Sequence, residues 1–187
     1  MNRLLPVAVL CLTVVLDVMA QQTPILPLPA DGSAVVIMVD WRGGLLRRPR
    51  KNTNPALTVR ADGRVTVLVD DQGIAPDLER NIPADKIQEL LRFIVIDQKF
   101  FANDLTSEEI WRAIRAEVGR RGGGSIWADV PDTVIRIKTA DAEKEIIFNG
   151  VGQAARDYPS VAALGRLLAV ETRLRRFLEE VRSGAVP

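Results

Sequence analysis

One short stretch constrains this chain more than any other: Leu57-Thr58-Val59-Arg60, then Ala61-Asp62-Gly63, then Arg64-Val65-Thr66-Val67. Apolar and polar residues alternate on both sides of an Asp-Gly pair, which is the pattern of two half-buried antiparallel strands joined by a tight turn. A two-residue turn at Asp62-Gly63 pairs Val59 with Thr66 and mixes the two faces. A three-residue loop, with Gly63 in the left-handed position of a bulge, pairs Val59 with Val65 and Leu57 with Val67. Thr58, Arg60, Arg64 and Thr66 then share the opposite face. The register follows, because a slip of one residue carries every apolar side chain to the wrong side.

Around this hairpin the period of the apolar residues alternates between two and about 3.6. Residues 34–41 are a β-branched run of strand length, and residues 45–55 are polar and basic, as in a loop. Pro83 stands where a first helical residue stands, followed by a stripe of Ile87, Leu90, Leu91 and Ile94 that ends near Phe100-Phe101. Thr106-Ser107-Glu108-Glu109 forms a capping box for a second helix carrying Ile110, Ile114 and Val118, which stops at Gly122-Gly123-Gly124. Strand periodicity returns at 133–139 and 143–149 around a turn at 140–142. A long amphipathic helix then runs from Pro159 to about Arg182. This order predicts an α+β domain over residues 33–183: an antiparallel sheet built from two hairpins plus an N-terminal strand, with about three helices packed on one face. Hairpin followed by helix occurs twice, at 57–101 and 133–182, as an architectural echo without a sequence repeat.

The N-terminus reads as an export signal. Residues 1–20 begin with the single cation Arg3, continue through an apolar core from Leu4 to Leu16, and end in Val18-Met19-Ala20 before Gln21. Asp17 interrupts the apolar run well short of the roughly 20 residues a bilayer span needs, so no stable transmembrane span is expected after cleavage. Cys11 lacks the small preceding residue of a lipidation site, since Leu10 stands there. Residues 21–32, with Pro24, Pro27 and Pro29, read as a Pro-rich linker. Export places the domain in the periplasm or the extracellular space.

Removing the signal leaves a chain with neither cysteine nor histidine, because Cys11 is the lone cysteine and histidine is absent throughout. Zinc ligation, imidazole proton transfer and thiol chemistry therefore have no side chains to work with, and no metal or other cofactor is expected. Lys+Arg total 25 against 24 Asp+Glu, which argues against a nucleic-acid partner held by phosphate neutralisation. None of Ser33, Ser107, Ser125, Ser160 and Ser183 lies in a Gly-x-Ser-x-Gly or Ser-x-x-Lys setting.

Two binding candidates stand out. Arg47, Arg48, Arg50 and Lys51 form a basic run suited to phospholipid head groups, an anionic cell-wall polymer or an acidic protein face of the envelope. Trp127, in the loop before a strand, is a candidate exposed contact. Arg120-Arg121-Gly122-Gly123-Gly124 follows a helix instead of preceding one, so it reads as helix termination and not as a phosphate loop. Carboxylates are the only abundant acid–base groups, with Asp129 and Asp132, Asp70-Asp71 and Asp104 all explicable as turn or cap residues.

Trp41-Arg42-Gly43-Gly44, the segment from Ala56 to Val65, Phe100-Phe101 and Asp129-Val130-Pro131-Asp132-Thr133 together resemble an uncharacterised family of small exported bacterial α+β domains. The resemblance spans most of residues 34–182 and implies export and fold, with no activity or site residues attached. The expectation from sequence is a non-enzymatic binding module that contacts an envelope protein or an anionic polymer. The alternative is a carboxylate-dependent hydrolase of envelope polysaccharide using Asp129 and Asp132.

Overall fold

A computed structural model describes residues 25–44, 51–124, 127 and 129–186. The expected signal at residues 1–20 and the cations Arg47, Arg48 and Arg50 lie outside the described residues. Six strands form one antiparallel sheet: β1 (Val35–Arg42), β2 (Leu57–Arg60), β3 (Arg64–Val67), β4 (Leu78–Asn81), β5 (Asp132–Lys138) and β6 (Glu143–Asn149), in the spatial order β4-β3-β2-β1-β5-β6. The N-terminal strand thus lies between the two hairpins, and the fold is α+β. In the first hairpin Leu57 faces Val67 and Val59 faces Val65, the register set by a three-residue loop, and Gly63 has φ +94°.

Helices follow their local chemistry. α1 (Ala84–Arg92) begins just after Pro83 and continues into a π-helical turn, Phe93–Asp97, whose wider winding is marked by the Gln98 N–H donating to the Phe93 carbonyl at 3.0 Å. α2 (Ser107–Arg121) is capped by Thr106, whose Oγ1 accepts the Glu109 N–H at 3.2 Å, and it ends where Gly122 adopts φ +72°. The C-terminal helical region is divided: α3 (Val151–Asp157) precedes α4 (Ala162–Ser183). Neither α3 nor β4 is among the elements that the sequence pattern predicts. β4 carries one apolar residue, Leu78, and is recruited by backbone pairing with β3, which leaves no periodic signature. Seven residues are too few for α3 to show helical periodicity.

One face of the sheet carries Ile37, Val39, Leu57, Val59, Ile135 and Ile137, all inaccessible, and it packs against apolar residues of α1, α2 and α4. The register places Glu79, Thr66, Thr58, Met38, Arg136 and Glu145 in one row across the opposite face. Both sheet edges are protected against strand addition. β4 is short and charged. On β6, Lys144 points to the helix side, where its Nζ donates to the Ala102 carbonyl at 2.7 Å and burial pushes its pKa down. Leu26 is tied to α1 by reciprocal backbone bonds with the Gln88 amide, both 2.9 Å, so the described part of the Pro-rich segment is held against the domain.

Glu117 is a buried carboxylate on α2 that accepts from Arg121 Nε at 2.6 Å and also pairs with Arg120. The Arg121 hydrogen bond, reinforced by the charges of both arginines, holds its carboxyl below the ordinary value of 4.5. A depressed folded-state pKa stabilises the fold fully above the unfolded-state value, and that contribution is lost as pH falls through the folded-state one. Thermal unfolding from neutral pH down to about pH 3 is therefore expected to show a steeper acid decline for the wild type than for Glu117→Gln. Equal slopes would show that this pair does not contribute to acid sensitivity.

Candidate functional site

A cleft of about 600 Å³ opens where the C-terminal end of β1 meets α4 and the loop that follows β3. Its helix wall arises from spacing: Arg175, Leu178, Glu179 and Arg182 recur at intervals of three and four, so they share one stripe of α4. Its other wall is the connection at 68–71, where Leu68, Val69, Asp70 and Asp71 line the space. Trp41, nearly buried, and Ala56 form the remainder.

The loop is built around Asp70. Its carboxylate accepts the backbone N–H groups of Gln72 at 3.0 Å, Ile74 at 2.6 Å and Ala75 at 3.4 Å. Those bonds, Gln72 first, hold the Asp70 carboxyl below its usual range. The loop is also pinned from the other side, because the Asp71 carbonyl accepts the N–H of Lys51 at 3.0 Å and of Asn52 at 3.1 Å. Lys51, the described member of the basic run, is thereby placed next to a residue that lines the cleft, with its side chain exposed.

On the helix side the organising residue is Glu171, one turn before Arg175 and 6% exposed. Its Oε1 accepts from Trp41 Nε1 at 2.8 Å, Thr133 Oγ1 at 3.1 Å and Arg175 Nη2 at 2.7 Å. The Arg175 guanidinium also lies 3.9 Å from the centroid of the Trp41 ring, a close cation–π contact. Arg182 donates through Nη1 to Glu179 at 3.0 Å and through Nη2 to the Leu68 carbonyl at 2.8 Å, which joins the two walls. Both arginines are therefore held in place by protein partners. Behind them the buried Asp40 carboxylate accepts the Trp41 and Ala56 backbone N–H groups at 3.0 and 3.3 Å, fixing the chain at the back of the cleft.

Compared with known proteins, this chain matches no family model, no curated protein and no solved structure.

The other sequence candidates lie apart from the cleft lining. Trp127 is half-buried, donates through Nε1 to Asp157 Oδ2 at 2.8 Å and sits 5.8 Å from the Trp111 ring and 5.7 Å from Tyr158. Asp132 accepts from the Asn149 amide at 3.0 Å, and the exposed Asp129 occupies a turn with φ +72°. Asp104 pairs with Arg166. Gly122 donates its N–H to the Val118 carbonyl at 3.0 Å, as a helix terminator does. Among the described residues, no three His, Cys, Asp or Glu side chains are grouped to hold a metal ion, and no helix is long and apolar enough to cross a membrane.

Sequence reasoning passed over Glu171, Arg175 and Arg182. A signal was present in the seven-residue spacing of the two arginines around Leu178, but α4 also carries Arg166, Arg173 and Arg176, and nothing local separates one pair from the rest.

Proposed function

We propose that this protein is an exported, non-catalytic module that binds a component of the cell envelope through the cleft between α4 and the 68–71 loop. The observation that carries the reading is that fixed protein groups hold the charged side chains at the cleft. Glu171 is shared among an indole, a hydroxyl and a guanidinium, Asp70 serves three backbone amides, and Glu179 pairs with Arg182. Carboxylate-dependent glycoside hydrolysis needs one carboxyl whose pKa is raised so that it can donate a proton, opposite a second that is free to act. Asp70 is shifted the other way. The arrangement suits recognition by preset donors and acceptors better than proton transfer. Export is supported by the basic start, apolar core and small-residue end of residues 1–20.

N-terminal sequencing of the protein recovered from outside the cytoplasm tests the export half of this reading, with Gln21 expected as the first residue. For the binding half, the exported protein is used to capture material from an envelope fraction, side by side with Asp71→Lys and Arg182→Glu variants. Loss of capture in both folded variants is expected. Unchanged capture, or release of sugars from envelope polysaccharide by the wild type alone, would overturn the proposal.

A further inference from the structure

We infer that the cleft takes an uncharged, polyhydroxylated ligand, a saccharide unit of an envelope polymer. The inference rests on the cleft being the contact site. The two walls carry opposite charge: Arg175 and Arg182 on α4, Asp70 and Asp71 on the loop, with Glu179 beside Arg182. An anionic group drawn to the arginines meets the repulsion of three nearby carboxylates, and a cation meets the converse, so neither simple ion is favoured. A neutral ligand escapes both penalties.

Hydrogen-bonding capacity of both kinds is left over. Arg175 directs Nε and Nη2 to Glu171, and among the described residues its Nη1 has no acceptor. Arg182 uses Nη1 and Nη2, and among the described residues its Nε has no acceptor. Asp71 accepts from Gln72 Nε2 at Oδ1 and Glu179 accepts from Arg182 at Oε1, so Oδ2 of the first and Oε2 of the second are open acceptors among the described residues. A hydroxyl group is at once donor and acceptor, so adjacent hydroxyls on one ring can accept from an arginine and donate to a carboxylate. Val69, 50% exposed, supplies the apolar surface that the C–H face of a sugar ring covers, with the largely buried Leu68 and Leu178 beneath it. The volume of about 600 Å³ falls inside the range of about 300–1,000 Å³ typical of sites for small organic ligands. Because both guanidinium groups are already held by carboxylates, little side-chain freedom is lost on binding.

The test is calorimetric titration of the exported protein with three neutral probes, N-acetylglucosamine tetramer, maltotetraose and cellotetraose, and two anionic ones, inorganic phosphate and tetragalacturonate. At least one neutral oligosaccharide is expected to bind at millimolar concentration or below, with affinity changing less than about twofold when salt is raised from about 0.05 to 0.5 M. Asp71→Asn and Arg182→Lys are each expected to weaken it about tenfold, the scale of losing a hydrogen bond to a charged group. Thermal unfolding of each variant separates lost binding from lost folding, and Asp71→Asn, which keeps the side-chain shape, remains informative if Arg182→Lys unfolds. Binding of phosphate or tetragalacturonate alone, weakening steeply with salt, would overturn the inference while leaving the cleft as a binding site. The same holds if no oligosaccharide binds and the two variants abolish capture of an envelope protein. Failure of the variants to change capture of anything would overturn the binding proposal itself.

Discussion

Replacing Glu171 with alanine is expected to cost about 3 kcal/mol of stability, the low end of what removing one partner of a buried charged pair costs. Three donors converge on its Oε1, but they do not contribute equally. Arg175 is half exposed and can turn to water, so its share is discounted. Trp41 and Thr133 are buried, and without the carboxylate the indole N–H and the hydroxyl lose their acceptor, at about 1–3 kcal/mol for each group left unsatisfied. For a domain of this size about 3 kcal/mol corresponds to a melting temperature lower by roughly 6–12 °C. Glu171→Gln separates the contributions, because the amide oxygen still accepts from Trp41 and Thr133 while the ion pair is gone. Its expected cost is about 1 kcal/mol. Urea unfolding of both variants measures the difference. If alanine and glutamine proved equivalent, the ion pair and not the indole bond would be holding the corner of the cleft.

That corner also shows where sequence reading stops. The hairpin at 57–67 was legible down to its register because alternation, a turn residue and strand length all act within eleven residues. The capping of α2 by Thr106 was legible for the same reason, since its donor lies three residues away. Glu171 depends on Trp41, 130 positions earlier, and on Thr133, 38 positions earlier, and no local pattern records such a partnership. In a helical wheel Glu171 lies beside Val170 and Leu174 as a charged interruption of an apolar stripe, and only the fold shows why a carboxylate belongs there. The cleft arginines are hidden likewise. Arg173, Arg175, Arg176 and Arg182 look alike in sequence, and Arg175 is singled out by the indole it covers. The loop position of Trp127 suggests an exposed contact, yet its ring packs against Trp111 and Tyr158 while its N–H serves Asp157. β4 has no readable pattern because it joins the sheet through backbone pairing with β3 and carries a single apolar residue, Leu78.

Gly63→Val is expected to be the most damaging single change in the hairpin, at about 4 kcal/mol. Two costs combine. A β-branched residue held at φ +94° is strained by about 1–3 kcal/mol. A Cβ at this position also lies 2.6 Å from the Ile82 carbonyl oxygen, a backbone atom that cannot swing aside, and relieving such an overlap costs roughly a further 1–3 kcal/mol. Gly122→Ala is the control. Its φ is +72°, but an added Cβ meets nothing within 4 Å among the described residues, so only the backbone cost of about 1 kcal/mol applies. The clash at Gly63 has a functional direction as well. Ile82 N–H donates to the Gly63 carbonyl at 2.9 Å, so pushing the two apart loosens β4 from β3 at the end of the hairpin. The connection between those strands carries Asp70 and Asp71, and its far end is anchored by β4 pairing with β3 and by the Asn52 and Asn54 amides donating to Asp77 at 3.1 and 2.7 Å. A folded Gly63→Ala variant, milder than valine, is therefore expected to weaken ligand capture by the cleft, whereas Gly122→Ala leaves capture unchanged. Equal capture by the two alanine variants would mean that the 68–71 wall keeps its shape without help from β4.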